Sequence, residues 1–109
     1  MMTLSPIEVS LIEQQVTDQM KTVYDPEIPV DIYELGLIYR VSCDDRGIVD
    51  IDMTLTAPGC PVAGTMPLEV EDKARQVAGV ADVTVNLVWE PPWTMDNMSD
   101  EAKLELGLM

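Results

Sequence analysis

An α/β chain, organised as an α+β two-layer sandwich around an α-β-β-α-β core, is predicted by the order of the apolar periodicities. Two segments repeat their apolar residues at spacings of three and four, and three others alternate apolar with polar residues. The short link between the first two alternating segments makes them an antiparallel hairpin. A helical stretch before the third then places the helices on one face of a three-stranded sheet. With 109 residues the chain is expected to be a single domain, 1–109, with a core over 5–88 and a Trp/Pro-rich tail with a short helix over 89–109.

Ser5-Pro6-Ile7-Glu8 is a helix start, with Ser5 as N-cap, Pro6 at the first helical position and Glu8 placed to close a capping box. Val9, Ile12, Val16, Met20 and Val23 fall on one face, leaving Glu8, Glu13, Gln14, Gln15, Asp18 and Lys21 to solvent. The helix is expected over roughly 6–22. It stops ahead of Asp25-Pro26, because the residue before a proline is pushed out of the α region.

From Tyr24 to Leu35 two prolines and a set of acids are interleaved with Ile28, Val30, Ile32 and Leu35, which anchor the stretch as an ordered loop. Its acids, Asp25, Glu27, Asp31 and Glu34, read either as a solvated acidic surface or as a loop that carries function on a rigid scaffold. Ile38 to Cys43 then alternates as a strand, with Tyr39, Val41 and Cys43 on one face and Arg40 and Ser42 on the other. Asp44-Asp45-Arg46-Gly47 is a turn. In the second strand Val49, Ile51, Met53 and Leu55 alternate with Asp50, Asp52, Thr54 and Thr56. Cys43 is thereby a core filler.

The alternation stops at Thr54-Leu-Thr-Ala-Pro-Gly-Cys-Pro61. Pro58 and Pro61 fix φ on either side, Gly59 tolerates positive φ, and Cys60 is held in a narrow set of directions. A buried cysteine in a strand-to-helix turn and a presented thiol both satisfy this pattern. Met66, Val70, Ala74 and Val77 step by four and three as a second helix that begins near Thr65 and is stopped by Gly79. Cys60 lies just ahead of it. Val83, Val85, Leu87 and Trp89 form the third strand, which ends at Glu90-Pro91-Pro92, and a last helix capped by Ser99 or Asn97 stops at Gly107. Which strand is central is not encoded in any periodicity.

Composition removes whole classes of chemistry. Lys and Arg number 6 against 20 Asp and Glu, a net charge of -14, so nucleic acid is not an expected partner. No apolar run approaches the roughly 18 residues of a membrane span, and no basic region followed by an apolar core marks a secretory signal, so a soluble cytoplasmic protein is expected. There is no histidine and there are 2 cysteines, which removes Ser-His-Asp and Cys-His catalytic units and a Cys/His zinc site within one chain. An enzyme is not expected. A Cys43–Cys60 disulfide is disfavoured in a reducing compartment.

Asp25-Pro26-Glu27, Ile32-Tyr33-Glu34-Leu35-Gly36-Leu37-Ile38-Tyr39, Met53-Thr54-Leu55-Thr56, Pro58-Gly59-Cys60-Pro61 and Trp89-Glu90-Pro91-Pro92-Trp93-Thr94 through Met98-Ser99 together resemble the small SufT-like iron–sulfur maturation domains. Relatives of that family are the cytosolic iron–sulfur targeting factor of eukaryotes and the PaaD accessory protein of phenylacetate degradation. The resemblance spans nearly the whole chain. It implies an iron–sulfur assembly-type α/β fold and an accessory role in delivering clusters to client proteins. By position it assigns function to Asp25, Glu27, Glu34, Thr54, Thr56 and Cys60, with Pro58, Gly59 and Pro61 shaping the turn. Glu34 stands where the family usually has aspartate, and the extra C-terminal cysteines of PaaD relatives are absent.

Under this resemblance Cys60 would take part in cluster or iron handover, as a metal ligand. One cysteine cannot hold a cluster ordinarily ligated by four thiolates, so a monomer would hold none stably. Any bound iron–sulfur cluster or iron would be transient and shared with a carrier or scaffold, a client, or a second copy in a homodimer. The other reading is a non-catalytic adaptor in which Cys60 is structural and the acidic loop and tail, with Trp89 and Trp93, dock partners.

Overall fold

The computed structural model describes residues 3–24, 30–55 and 66–107. The capping box forms at Ser5: the Glu8 N–H donates to Ser5 Oγ at 3.2 Å, and the Ser5 N–H donates to Glu8 Oε1 at 3.0 Å. These bonds satisfy backbone donors that a helix start leaves orphaned. The helix α1 spans Pro6–Met20 and buries Ile12, Val16 and Met20, with Val23 buried just beyond it. It ends slightly before the expected bound, through Lys21 as C-cap.

The sheet consists of β1 (Ile38–Cys43), β2 (Ile48–Met53) and β3 (Asp82–Leu87), in the order β1-β2-β3. The central strand is β2, antiparallel to β1 and parallel to β3. Between β1 and β2, Asp44 Oδ1 accepts from the Arg46 and Ile48 N–H groups, and Gly47 takes φ +83° to close the turn. The helix α2 (Met66–Arg75) carries the chain from β2 to β3. It stops short of Gly79, and a run of turns completes the passage.

Val49, Ile51 and Met53 are fully buried and pair across the sheet with Cys43, Val41 and Ile38 on one side and Val83, Val85 and Leu87 on the other. This face joins Val16, Met20, Val70 and Ala74 of the helices in one core, with α1 against β1, α2 against β3 and the helices against each other. The opposite face is polar. There Arg40, Ser42, Asp50, Asp52, Thr84 and Asn86 align in register.

One alternation differs from expectation. The ladder shifts register between Ile38 and Arg40, making Tyr39 the extra residue, so Ile38 rather than Tyr39 faces the core with Val41 and Cys43. The Tyr39 hydroxyl instead donates to the Pro91 carbonyl at 2.8 Å. Beyond β3 the chain passes a cis Glu90–Pro91 peptide bond and a single 3-10 turn, Met95–Asn97, before α3 (Asp100–Glu105), capped by Ser99. Among the described residues no helix is long and apolar enough to cross a membrane.

Candidate functional site

Parallel strands gather their binding sites beyond their carboxyl ends, where loops rather than ladder bonds continue the chain. Here β2 and β3 end side by side, Met53 opposite Leu87, with Ile38 at the start of β1 also opposite Met53. Backbone pairing carries slightly further: the Thr54 N–H donates to the Leu37 carbonyl and the Val88 N–H to the Met53 carbonyl, each at 2.8 Å. The turn 31–36 enters β1 at this end. The segment 56–65 is flanked by Leu55 and Met66, both buried.

Of the residues singled out from the sequence, Asp25, Glu27, Thr56, Pro58, Gly59, Cys60 and Pro61 lie outside the described residues. Thr54 is enclosed, at 1% exposure, and its hydroxyl faces the Leu55 carbonyl at 3.5 Å. Its described contacts are therefore those of a support for the chain. Glu34 is half-buried in the turn, its N–H donating to Asp31 Oδ2 at 3.1 Å. The two tryptophans diverge: Trp89 is 40% exposed, whereas Trp93 is half-buried against the core.

Trp93 turns inward because its indole N–H has a buried acceptor. It donates to the Leu35 carbonyl at 2.7 Å. The Ser99 N–H donates to the neighbouring Glu34 carbonyl at 2.9 Å. Gly36 follows with φ +79°, and a Cβ there would run into the Asn97 carbonyl. Asn97 Nδ2 also donates to the Tyr39 hydroxyl at 3.3 Å. Three consecutive turn residues are thus each met by a residue of the tail.

Between this turn and α3 lies a cleft of about 190 Å³ lined by Tyr24, Val30, Asp31, Glu34, Glu101, Ala102 and Glu105. No ion pair reaches its carboxylates among the described residues. Nor do three or more metal-ligating side chains converge among the described residues. At the far end of β1, Cys43 is half-buried and its thiol is pushed up by burial, then by Asp44 and Glu13. That disfavours the thiolate needed for metal ligation.

Residues 13–87 match the family described as iron-sulfur cluster assembly protein. The chain belongs to that family. It is 48% identical over 97 residues to an Fe-S protein maturation auxiliary factor of Porphyromonas gingivalis, covering 89% of this chain and 92% of that one. It is 45% identical over 86 residues to the Fe-S protein maturation auxiliary factor SufT of Staphylococcus aureus, covering 79% of this chain and 98% of the relative. The crystal structure of a domain of unknown function from Bacillus anthracis superposes with a TM-score of 0.88 at 37% identity, covering 96% of this chain and all of that one.

In this iron–sulfur cluster assembly protein, the grip of the tail on the turn went unseen in the sequence. Asn97 and Ser99 were legible only as cap candidates, and Trp93 as a partner contact. A glycine between the buried Leu35 and Leu37 was the signal available, since buried neighbours leave little reason for Gly except positive φ or close approach.

Proposed function

We propose that this chain is an accessory factor in iron–sulfur cluster assembly, assisting delivery of clusters or iron to client proteins through the Cys60 thiolate. The observation that carries the reading is the 48% identity, over 89% of the chain, to a relative named as an Fe-S maturation auxiliary factor. The chemistry of the chain agrees with handover. Histidine is absent, and of the two cysteines Cys43 sits where burial disfavours its thiolate, which leaves Cys60 as the soft ligand.

Cluster or iron is cargo in this scheme. A single thiolate supplies one of the ligands a cluster requires, so the others come from a carrier, a client, or a second copy of the chain. Handover is then ligand exchange. The Cys60 sulfur bonds iron as a thiolate of the donor protein leaves it, and a client thiolate later displaces Cys60, with no net oxidation or reduction. The resemblance assigns function also to Asp25, Glu27, Glu34, Thr54 and Thr56 and gives Pro58, Gly59 and Pro61 to the turn that carries the thiol, and Trp89, exposed on the tail, offers an aromatic contact to the partner.

The test is Cys60→Ser. Client iron–sulfur enzymes in cells carrying the variant should lose activity while their polypeptide levels hold, and the purified variant should melt at the parental temperature. Clients that mature normally with Cys60→Ser would remove the thiol from the mechanism.

A further inference from the structure

We propose that the free edge of β3 is a self-association surface, on which a second copy of this chain pairs its own β3 antiparallel and joins the two sheets into one. The order β1-β2-β3 leaves an edge on each side of the sheet. The two edges are built differently. On β1 the Cys43 N–H donates to Glu13 Oε2 at 2.8 Å, the ladder is broken at Tyr39, and α1 packs alongside. A carboxylate over an edge donor and a bulge are means by which proteins blunt an edge against pairing.

Neither device covers Val85 and Leu87 on β3. The Val88 N–H donates to the Met53 carbonyl, and backbone direction alternates along a strand, so Thr84 and Asn86 also turn their N–H and C=O to β2. Val83, Val85 and Leu87 turn theirs outward. Val83 fits this phase, its N–H bonded to Asp82 Oδ1 at 2.9 Å rather than to a strand. Among the described residues the outward groups of Val85 and Leu87 meet no partner. The run 83–89, Val-Thr-Val-Asn-Leu-Val-Trp, carries no charge, proline or glycine and ends in the exposed Trp89. Such a run on an open edge is a template for another strand.

Charge and symmetry both fit a second copy as that strand. Two chains of net charge -14 approach at least cost where charge is absent or balanced, and Asp82, the one acid of β3, is bonded by Arg75 at 2.8 Å. A cationic partner finds no free carboxylate on the strand. With a twofold axis at Asn86, Val85 of each copy faces Leu87 of the other, and the backbone bonds formed use only groups left open. The Val85–Leu87 pairs fall on the face that packs against the helices, and Asn86 meets its counterpart on the polar face. The carboxyl ends of the two β2 strands then point in opposite directions, so the pairing stands apart from the delivery role proposed above.

Sedimentation of the full chain in reducing buffer, with amide exchange followed residue by residue, tests the proposal. An edge this short should give a weak dimer, its mass rising from one chain toward two between about 5 μM and about 1 mM. Over that range the Val85 and Leu87 amides should exchange about three- to tenfold more slowly, with the Cys43 amide on the other edge unchanged. Val85→Pro deletes an outward N–H without touching the ladder to β2 and should weaken association about tenfold or more. Val85→Ala trims the side chain, keeps the N–H and should associate like the parent. A chain that stays monomeric throughout, a dimer in which Val85 and Leu87 exchange as in the monomer, or a folded Val85→Pro that associates as tightly as Val85→Ala overturns the pairing. Exchange in the parent chain decides it alone should Val85→Pro fail to fold.

Discussion

Asp50 and Asp52 on the open face of the sheet are ringed by donors, whereas Asp31, Glu34, Glu101 and Glu105 in the cleft beside α3 meet no ion-pair partner among the described residues. On the sheet, Arg40 Nη2 reaches Asp50 at 2.8 Å and Arg40 Nε reaches Asp52 at 3.0 Å, and Asn86 Nδ2 donates to both aspartates. These bonds tie β1 and β3 to the central strand. In the cleft Asp31 Oδ2 accepts only the Glu34 N–H, no cation reaches the four carboxylates among the described residues, and the tail holds the backbone carbonyl of Glu34 through the Ser99 N–H. A chain of net charge -14 thus compensates its acids where they stack in register and leaves them uncompensated beside the turn. Uncompensated carboxylates project a field that draws a cationic partner surface.

The cleft side breaks most readily at its frame. Gly36→Ala forces a side chain into positive φ and against the Asn97 carbonyl, and should cost about 1–3 kcal/mol or more, read by urea denaturation. An effect below about 0.5 kcal/mol would mean that the tail yields easily and does not define the turn.

A smaller effect is expected from the sheet side. Arg40 hydrogen bonding, then Asn86, holds the Asp52 carboxyl below the usual carboxylate range. A carboxyl depressed in the folded state stabilises the fold above its unfolded pKa, about 4, and loses that contribution as pH falls through the folded value. Arg40→Ala should therefore lower Tm slightly at pH 7, flatten the loss of stability below about pH 4, and differ less from the parent in about 1 M salt. A salt-independent loss would point to packing of the arginine stem instead.

The layered fold was legible because each element announces itself locally. The Ser5–Glu8 capping box, the strand alternation around Ile51 and the apolar steps from Met66 to Ala74 are written in short windows, and each forms. What the sequence left unwritten is non-local. The central place of β2 follows from pairing with strands on both sides, and the shift at Tyr39 accompanies a hydroxyl bonded to Pro91 of the tail. Trp93 reads from the sequence as a partner contact because its acceptor, the Leu35 carbonyl, leaves no trace in side-chain pattern. Glu34 is legible in the acidic loop and by resemblance to a family, while its neighbours in the cleft, Glu101 and Glu105, carry no signal beyond the short helix they sit on.

The finest test of the contrast uses a neutral substitution on each side. Glu105 is the last residue of α3, where the carbonyl end of the helix already disfavours negative charge, and it lines the cleft with Asp31, Glu34 and Glu101. Glu105→Gln should therefore leave Tm unchanged or raise it, by the equivalent of about 0.3–1 kcal/mol at low salt. Asp52→Asn, which weakens the bonds to Arg40, should lower it. Opposite signs for two equally conservative changes would be the signature of one compensated and one uncompensated region. A fall in both would mean that the cleft carboxylates are balanced by cations after all, and the case for an outward-facing acidic surface at the turn would be lost.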